Sequence, residues 1–284
     1  MKSTIVLAGL VAVFSSYPGF ASAQDTGSPT SVGSFESIVK TKGVTQKTEG
    51  ENNTQDMAVG SVSGSKIDGK FFSNVDVKGD MSQTSNGSQN SQRIGLGSVE
   101  NSEVGTYKND KTVTGAVKQN ISGGGSGNRQ DISVGSVQGS SVKDFKSEIK
   151  TGNLTQDIKG GNNSIQEMQI GSVNNSTVQG GTFKTDIKTG NITQTSVGGD
   201  NNQSIQVGSM KNSTVTEKFD SKVRVNGDIT QTASKNMKQD LMLGSVQNAT
   251  VGSFKSEVTV NGNIEQSATG TGGHSQSATF GSVR

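Results

Sequence analysis

A glycine-serine-aliphatic triplet recurs at a nearly constant spacing through most of the 284-residue chain. Successive copies are 36 to 38 residues apart, and they begin at Gly60, Gly97, Gly135, Gly171, Gly208, Gly244 and Gly281. Self-similarity at a period of this length is typical of stacked repeat architectures, in which each unit covers the open faces of its neighbours. The sequence therefore predicts a repeat domain over residues 31–284 that contains seven units of about 37 residues.

Two series of glutamines keep the same period. One series stands five residues before the triplet glycines: Gln55, Gln92, Gln130, Gln166, Gln203, Gln239 and Gln276. The other follows an aliphatic residue by two positions: Gln46, Gln83, Gln119, Gln156, Gln194, Gln231 and Gln266. Residues two apart on a strand share a face, so these amides are expected among apolar side chains, where they need partners. Because identical amides one strand spacing apart can bond to each other, we predict two structural glutamine ladders that fix the strand register.

A third periodic series is aromatic. Its members are Phe35, Phe72, Tyr107, Phe145, Phe183, Phe219 and Phe254. They fall in the half of each repeat that lacks the glutamines, and we predict that they form an aromatic ladder.

Within a repeat the local period is two, which favours strands. Met168 and Ile170 share the face of Gln166, and no helical spacing competes with this alternation. The fold class predicted is an all-β β-solenoid of stacked strand-turn-strand rungs with two facing sheets. Each repeat divides near Gly190 into halves of 19 and 18 residues, and we expect half-repeats to stack at about 4.8 Å. The sequence leaves open whether the two halves close one coil or form two separate rungs.

The first 23 residues have the pattern of a secretory signal peptide. Lys2 precedes an apolar run from Ile5 to Phe14, and the small residues Ala21-Ser22-Ala23 fit a cleavage site before Gln24. The run is shorter than the ~20 residues that span a bilayer, which disfavours the alternative of a membrane anchor. We therefore predict a signal peptide at 1–23, a short linker at 24–30, a mature chain without a membrane span, and a secreted, extracellular or cell-surface location.

The composition argues against an ordinary enzyme and against a nucleic-acid partner. Only 28% of the residues are hydrophobic, there is no cysteine, and 26 basic residues are interleaved with 24 acidic ones. The one histidine, His274, is interpreted as an exposed turn residue. Gly198-Gly199-Asp200 is the closest approach to a calcium-binding repeat, but the equivalent turns lack the acidic residue. The expectation is a non-enzymatic protein without catalytic residues, metal or cofactor.

The stretch from Gly190 to Ile205, with Gly-Asn-Ile-Thr-Gln followed by Asn-Asn-Gln-x-Ile, resembles the repeats of curlin and other secreted bacterial functional amyloid subunits. The resemblance covers the second half of each repeat, including Gln156, Gln166, Gln194 and Gln203. It implies a secreted subunit that stacks into extracellular fibres of a biofilm matrix or a surface adhesin. The expected partner is the chain itself, as a homopolymer, with a nucleator or secretion channel as a further partner.

Three other functions are compatible with parts of the sequence pattern. A monomeric solenoid acting as a surface adhesin or binding module would share the fold, but it should carry capping segments, and the last repeat runs to Arg284 without one. An ice-binding solenoid would need a regular threonine face, which Lys118 and Glu265 interrupt. A repeat-bearing enzyme lacks candidate residues. The fibre subunit is the preferred prediction.

Overall fold

The computed structural model describes residues 4–7, 11–12, 31–49, 54–86, 90–122, 125–126, 128–159, 161–198, 200–234, 236–269 and 273–284. These residues form strands and turns, so the fold class is all-β. Strands of successive repeats pair in parallel, which makes the protein a β-solenoid with repeats about 37 residues apart, as the triplet spacing predicts.

Each coil of the solenoid has four sides, and each side belongs to its own sheet. The long strands are Phe35–Thr41, Lys66–Val77, Glu103–Thr114, Ser141–Thr151, Thr182–Thr189, Thr214–Val225 and Thr250–Val260, with Ser31–Val32 and Thr177–Val178 in the same sheet. The next side is formed by the strands that carry the Gln46 series, which we call the first amide strands. They are Val44–Glu49, Met81–Asn86, Val117–Ser122, Leu154–Lys159, Ile192–Val197, Ile229–Ser234 and Ile264–Thr269.

The other two sides complete the coil. The second amide strands, which carry the Gln55 series, are Thr54–Val59, Ser91–Leu96, Arg129–Val134, Ile165–Ile170, Asn202–Val207, Lys238–Leu243 and Ser275–Phe280. The short strands are Val62–Ser63, Val99–Glu100, Val137–Gln138, Val173–Asn174, Met210–Lys211 and Val246–Gln247. Val283 adds an isolated bridge to Val246, and Gly125–Ser126 pairs with Gly161–Asn162 at a turn.

The strand partners show that one repeat makes one coil. Leu154–Lys159 pairs with Ile192–Val197, its equivalent in the next repeat, and Gln156 lies opposite Gln194. The expectation that half-repeats stack on each other is therefore wrong. The two halves of a repeat instead form different sides of the coil, because the apolar face of each half is covered by the other half across a shared core.

Two apolar clusters fill the interior. The larger one joins the ends of the long strands to both kinds of amide strand, as Val75, Met81 and Ile94 illustrate. The smaller one joins the beginnings of the long strands to the short strands, as Phe71 and Val99 illustrate. The two facing sheets expected from sequence thus occur as two facing pairs: the first amide strands face the second, and the long strands face the short ones.

The triplet glycines form the corner between the second amide strands and the short strands. All seven have positive φ angles, between 51° and 60°, a region that side chains with a Cβ disfavour. At Gly208 an added Cβ would also lie 2.7 Å from Cγ2 of Val223 on the facing long strand. The corner therefore needs glycine both for its backbone conformation and for its close approach to the core.

Two further strands, from the N-terminal segment of the chain, pair with the edge of the first coil. Thr4–Leu7 pairs antiparallel with Val44–Glu49, and Val11–Ala12 pairs antiparallel with Phe35–Thr41. Both belong to the segment predicted to be removed as a signal peptide, so these pairings would be absent from the mature chain. The other residues of the predicted signal peptide and the predicted linker at 24–30 lie outside the described residues.

Candidate functional site: the glutamine and aromatic ladders

The glutamines of the first amide strands form one continuous ladder. Each Nε2 donates to Oε1 of the glutamine in the preceding repeat at 2.7–2.9 Å, along Gln46, Gln83, Gln119, Gln156, Gln194, Gln231 and Gln266. The five glutamines between the ends are fully buried, because the aliphatic residue two positions earlier places each strand's inner face on the core.

The glutamines of the second amide strands form a parallel ladder. The Nε2-to-Oε1 distances are 2.7–3.1 Å along Gln55, Gln92, Gln130, Gln166, Gln203, Gln239 and Gln276. The structure thus brings all fourteen glutamines selected from the sequence into two ladders, and the series are in strand register across every step.

In every ladder glutamine except Gln276, an N–H group crosses the core to a backbone carbonyl of the facing strand. Gln156 donates to the Glu167 carbonyl at 3.0 Å within its own coil, whereas Gln166 donates to the Thr195 carbonyl in the next coil, also at 3.0 Å. Each interior amide therefore uses both N–H groups and its oxygen. A slip of one residue would leave these buried groups unpaired, at about 1–3 kcal/mol each, so the ladders hold the register.

The aromatic ladder differs from the prediction at one position. Phe35, Phe71, Tyr107, Phe145, Phe183, Phe219 and Phe254 stack with ring centroids 4.7–5.4 Å apart. The prediction of Phe72 is wrong: its neighbour Phe71 is the fully buried member, and Phe72 faces outward with Lys108 Nζ 5.5 Å from its ring centroid. Inward and outward side chains alternate without a break along Lys66–Val77, so Phe71 shares the buried face of Val75 and Val77, and Phe72 lies on the opposite face.

Tyr107 adds a polar contact to the aromatic ladder. Its hydroxyl donates to the carbonyl oxygen of the corner glycine Gly97, and burial raises the pKa of Tyr107 above its ordinary value. The phenol therefore stays protonated and ties the long strand of the third coil to the corner of the second.

The outer faces of the second amide strands and short strands carry a charge cluster that sequence reasoning missed. Arg93 pairs with Glu100, and Arg129 pairs with Glu167 at 2.9 Å and with Asp131 at 3.9 Å. Burial, reinforced by Glu167 and Glu100, raises the pKa of Asp131 to about 7, while burial raises the pKa of Glu100 against the opposing effect of Arg93. The sequence contained a signal for this cluster: the residue after each glutamine of the second ladder is often charged, and these residues stack on one another in successive repeats.

A further ion pair on the same outer faces joins Lys211 Nζ to Asp240 Oδ2 at 2.8 Å. Together with Arg129 and Glu167, these two residues line an outer groove whose cavity has a volume of about 290 Å³. Positive and negative groups alternate along this groove, so it presents no single sign of charge.

Metal-binding geometry is absent from the part of the chain that the structure describes. No group of three or more His, Cys, Asp or Glu side chains there is arranged to hold a metal ion. His274 lies at an exposed position. Within the same residues, no helix has the length and apolar character needed to span a membrane.

Fold and ladders together define the class: a parallel β-solenoid whose interior is held in register by two glutamine ladders and one aromatic ladder. Comparisons with protein-family models, with curated proteins and with solved structures found no match to this chain.

Proposed function

We propose that this protein is a secreted structural subunit that assembles through stacked coils into extracellular amyloid-like fibres of a biofilm matrix or an adhesive surface. The observation that carries the proposal is the difference between the last coil and the one before it. Ile229, Leu243 and Val246 are fully buried in the sixth coil, because the seventh coil covers them.

Their equivalents in the seventh coil are uncovered. Ile264 is 41% exposed, Phe280 is 42% exposed and Val283 is 53% exposed. This end of the solenoid thus presents the same apolar cross-section that stacking buries in the interior, beside open strand edges that can pair with another chain. At the other end, the aromatic-ladder residue Phe35 is also exposed, at 36%. A second copy of the chain has the matching shape and strand spacing.

The predicted signal peptide supports the extracellular setting of the proposal, and the absence of cysteine means that a fibre of this chain would be stabilised without disulfides. The curlin-like pattern from Gly190 to Ile205 supports the same function. A nucleator or a secretion channel would be an additional partner.

The test is the assembly state of the purified mature chain, residues 24–284, followed by light scattering and electron microscopy. We expect unbranched filaments. A matched pair of variants identifies the surface responsible: Ile264→Lys places a charge on the exposed end, whereas Thr230→Lys places it on the outer face of the sixth coil. Filaments should be lost in the first variant and kept in the second, with unchanged circular dichroism in both. A stable wild-type monomer at high concentration would overturn the proposal.

The alternative is a monomeric surface adhesin or binding module. The outer groove lined by Arg129, Glu167, Lys211 and Asp240 favours it, because a concave polar surface along a solenoid offers a site for an extended ligand. A chain that stays monomeric in the assembly experiment, and whose groove substitutions reduce adhesion, would favour this function.

A further inference from the structure

Both glutamine ladders have the same direction. In all twelve ladder bonds the donor belongs to the later repeat and the acceptor oxygen to the earlier one, as in Gln194 to Gln156 and Gln203 to Gln166. A ladder of directed bonds has chemically different ends. The solenoid is therefore polar in its hydrogen bonding as well as in its strand order.

The first coil ends the ladders with donors. Nε2 of Gln46 donates to the Asp56 carbonyl at 3.1 Å, and Nε2 of Gln55 donates to the Thr84 carbonyl at 3.2 Å. Interior glutamines use one N–H in this way and give the other to the preceding glutamine. Among the described residues, no preceding glutamine exists for Gln46 or Gln55. Each would therefore present one N–H at this end once the predicted signal peptide, whose strand Thr4–Leu7 lies beside Gln46, is removed.

The last coil ends the ladders with acceptors. Gln266 donates to Gln231 at 2.7 Å and Gln276 donates to Gln239 at 2.8 Å. Neither Oε1 accepts a hydrogen bond from any residue that the structure describes. The two ends of the solenoid thus carry two N–H donors and two carbonyl acceptors at equivalent places in the coil.

We propose that chains join head to tail in continuous register, so that Gln46 and Gln55 of one chain donate to Oε1 of Gln266 and Gln276 of the next. This inference rests on the proposed function and specifies its interface. The contact is heterologous, because two different surfaces meet, and repetition of such a contact gives an open filament rather than a closed oligomer.

Apolar residues match across the same junction. Continuing the observed strand register places Phe35 on Phe254, which extends the aromatic ladder. It also places Val44 on Ile264, since both precede a ladder glutamine by two residues. The junction therefore covers side chains that are exposed at both ends of the isolated chain.

One charge pair also matches. Glu36 follows Phe35 and Lys255 follows Phe254, so in-register stacking places opposite charges on adjacent strands of the outer face. The other two end-to-end arrangements are disfavoured by the ladders. Tail-to-tail stacking would bring the Oε1 atoms of Gln266 and Gln276 against acceptors, and head-to-head stacking would bring N–H groups against N–H groups.

Disulfide cross-linking tests the arrangement, because the chain contains no cysteine of its own. Thr45 and Glu265 are exposed on outer strand faces and would become directly paired neighbours across the junction, as Thr230 and Glu265 are within the chain. Paired Cα atoms lie about 5 Å apart, which suits a disulfide. Filaments of Thr45→Cys/Glu265→Cys, assembled with reductant and then oxidised, should give a ladder of covalent multimers on a denaturing gel.

The matched control moves one cysteine two residues along the strand. In Lys47→Cys/Glu265→Cys the diagonal Cα separation would be about 7–8 Å, beyond the usual disulfide range, and multimers should fall at least tenfold. Each single-cysteine variant should stay uncross-linked. Covalent dimers from Glu265→Cys alone, multimers favoured by the offset pair, or filaments without cross-links would each overturn the head-to-tail register. Absence of filaments in the wild type would instead overturn the proposed function.

Discussion

The side-chain amide of Gln194 donates to Oε1 of Gln156 at 2.8 Å, although 38 residues of sequence separate the two. The same amide gives its second N–H to the Ser204 carbonyl at 3.0 Å on the facing strand. One side chain therefore links successive coils and both walls of one coil. This double use explains why a core with so few large hydrophobic residues specifies one register, since every shifted pairing leaves buried amides unpaired.

Replacing Gln194 by glutamate should destabilise the solenoid strongly. The carboxylate cannot donate to Gln156 or Ser204, and it would be buried without a cation. We expect Gln194→Glu to lower the free energy of unfolding by about 3 kcal/mol or more at pH 7. The control Thr193→Glu, on the outer face of the same strand, should change it by less than about 0.5 kcal/mol. Urea unfolding followed by circular dichroism measures both, and equal effects would contradict the ladder's role.

The double variant Gln194→Glu/Gln231→Glu should slow filament assembly at neutral pH. The two side chains are stacked neighbours, so like charges would lie within about 5 Å of each other. Light scattering against time measures the effect, and lowering the pH below about 4 should restore part of the rate as the carboxylates become protonated. Assembly at the wild-type rate would show that these amides are not buried during growth.

Phe183 and Phe72 make a matched pair for the aromatic ladder. Phe183 is fully buried between Phe145 and Phe219, with centroid distances of 4.8 and 4.7 Å. We expect Phe183→Ala to cost about 3–5 kcal/mol of unfolding free energy, because it removes core contacts and leaves a cavity. Phe72→Ala should cost about 1 kcal/mol or less, since that ring only lies beneath Lys108. A larger loss of unfolding free energy from Phe72→Ala than from Phe183→Ala would contradict the outward position of Phe72.

Gly208 and Gly64 separate backbone strain from crowding at the corners. Both have positive φ, +56° and +62°, but a Cβ on Gly64 would meet no atom within 4 Å. Gly64→Ala should therefore cost about 1–2 kcal/mol from backbone conformation alone. Gly208→Ala should cost at least about 1 kcal/mol more, because its Cβ would meet Ser221 and Val223. Thermal unfolding of the two variants should differ accordingly, and equal midpoints would show that the core yields at this corner.

The buried carboxyl of Asp131 should make stability depend on pH. Burial and the neighbouring Glu167 raise its pKa to about 7 from 3.8, so between these values the folded state holds a proton that the unfolded state releases. The stabilising contribution of the protonated Asp131 carboxyl is therefore fully present below about pH 4. It is lost as the pH rises through about 7, which lowers the free energy of unfolding by up to about 4 kcal/mol.

Asp131→Asn should remove this fall, because asparagine does not titrate. We expect the variant to be more stable than the wild type at pH 8 and its unfolding free energy to vary less between pH 4 and pH 8. Asp186→Asn, at an exposed position of a long strand, is the control and should keep the wild-type slope. Parallel pH profiles for Asp131→Asn and the wild type would contradict the buried-carboxyl argument.

The sequence by itself determined the repeat length, the strand character, the corner glycines and both glutamine ladders. These features depend on spacing alone, because equivalent residues 36 to 38 positions apart become stacked neighbours whatever path the chain takes between them. The inward position of Gln46 and Gln83, for example, could be predicted from their common period and from the aliphatic residue two positions before each of them.

Only the tertiary structure decided the path within a repeat and the features that depend on it. Spacing cannot show that Gly171 and Gly190 begin different sides of one coil, because both one coil and two rungs satisfy the same period. The choice between the adjacent Phe71 and Phe72 depended on which face of Lys66–Val77 meets the core, and Phe71 shares the buried face of Val75 and Val77. Asp131 is buried beside charged groups of a neighbouring coil and of another side, Glu167 and Glu100, and no pattern within a single strand encodes that environment.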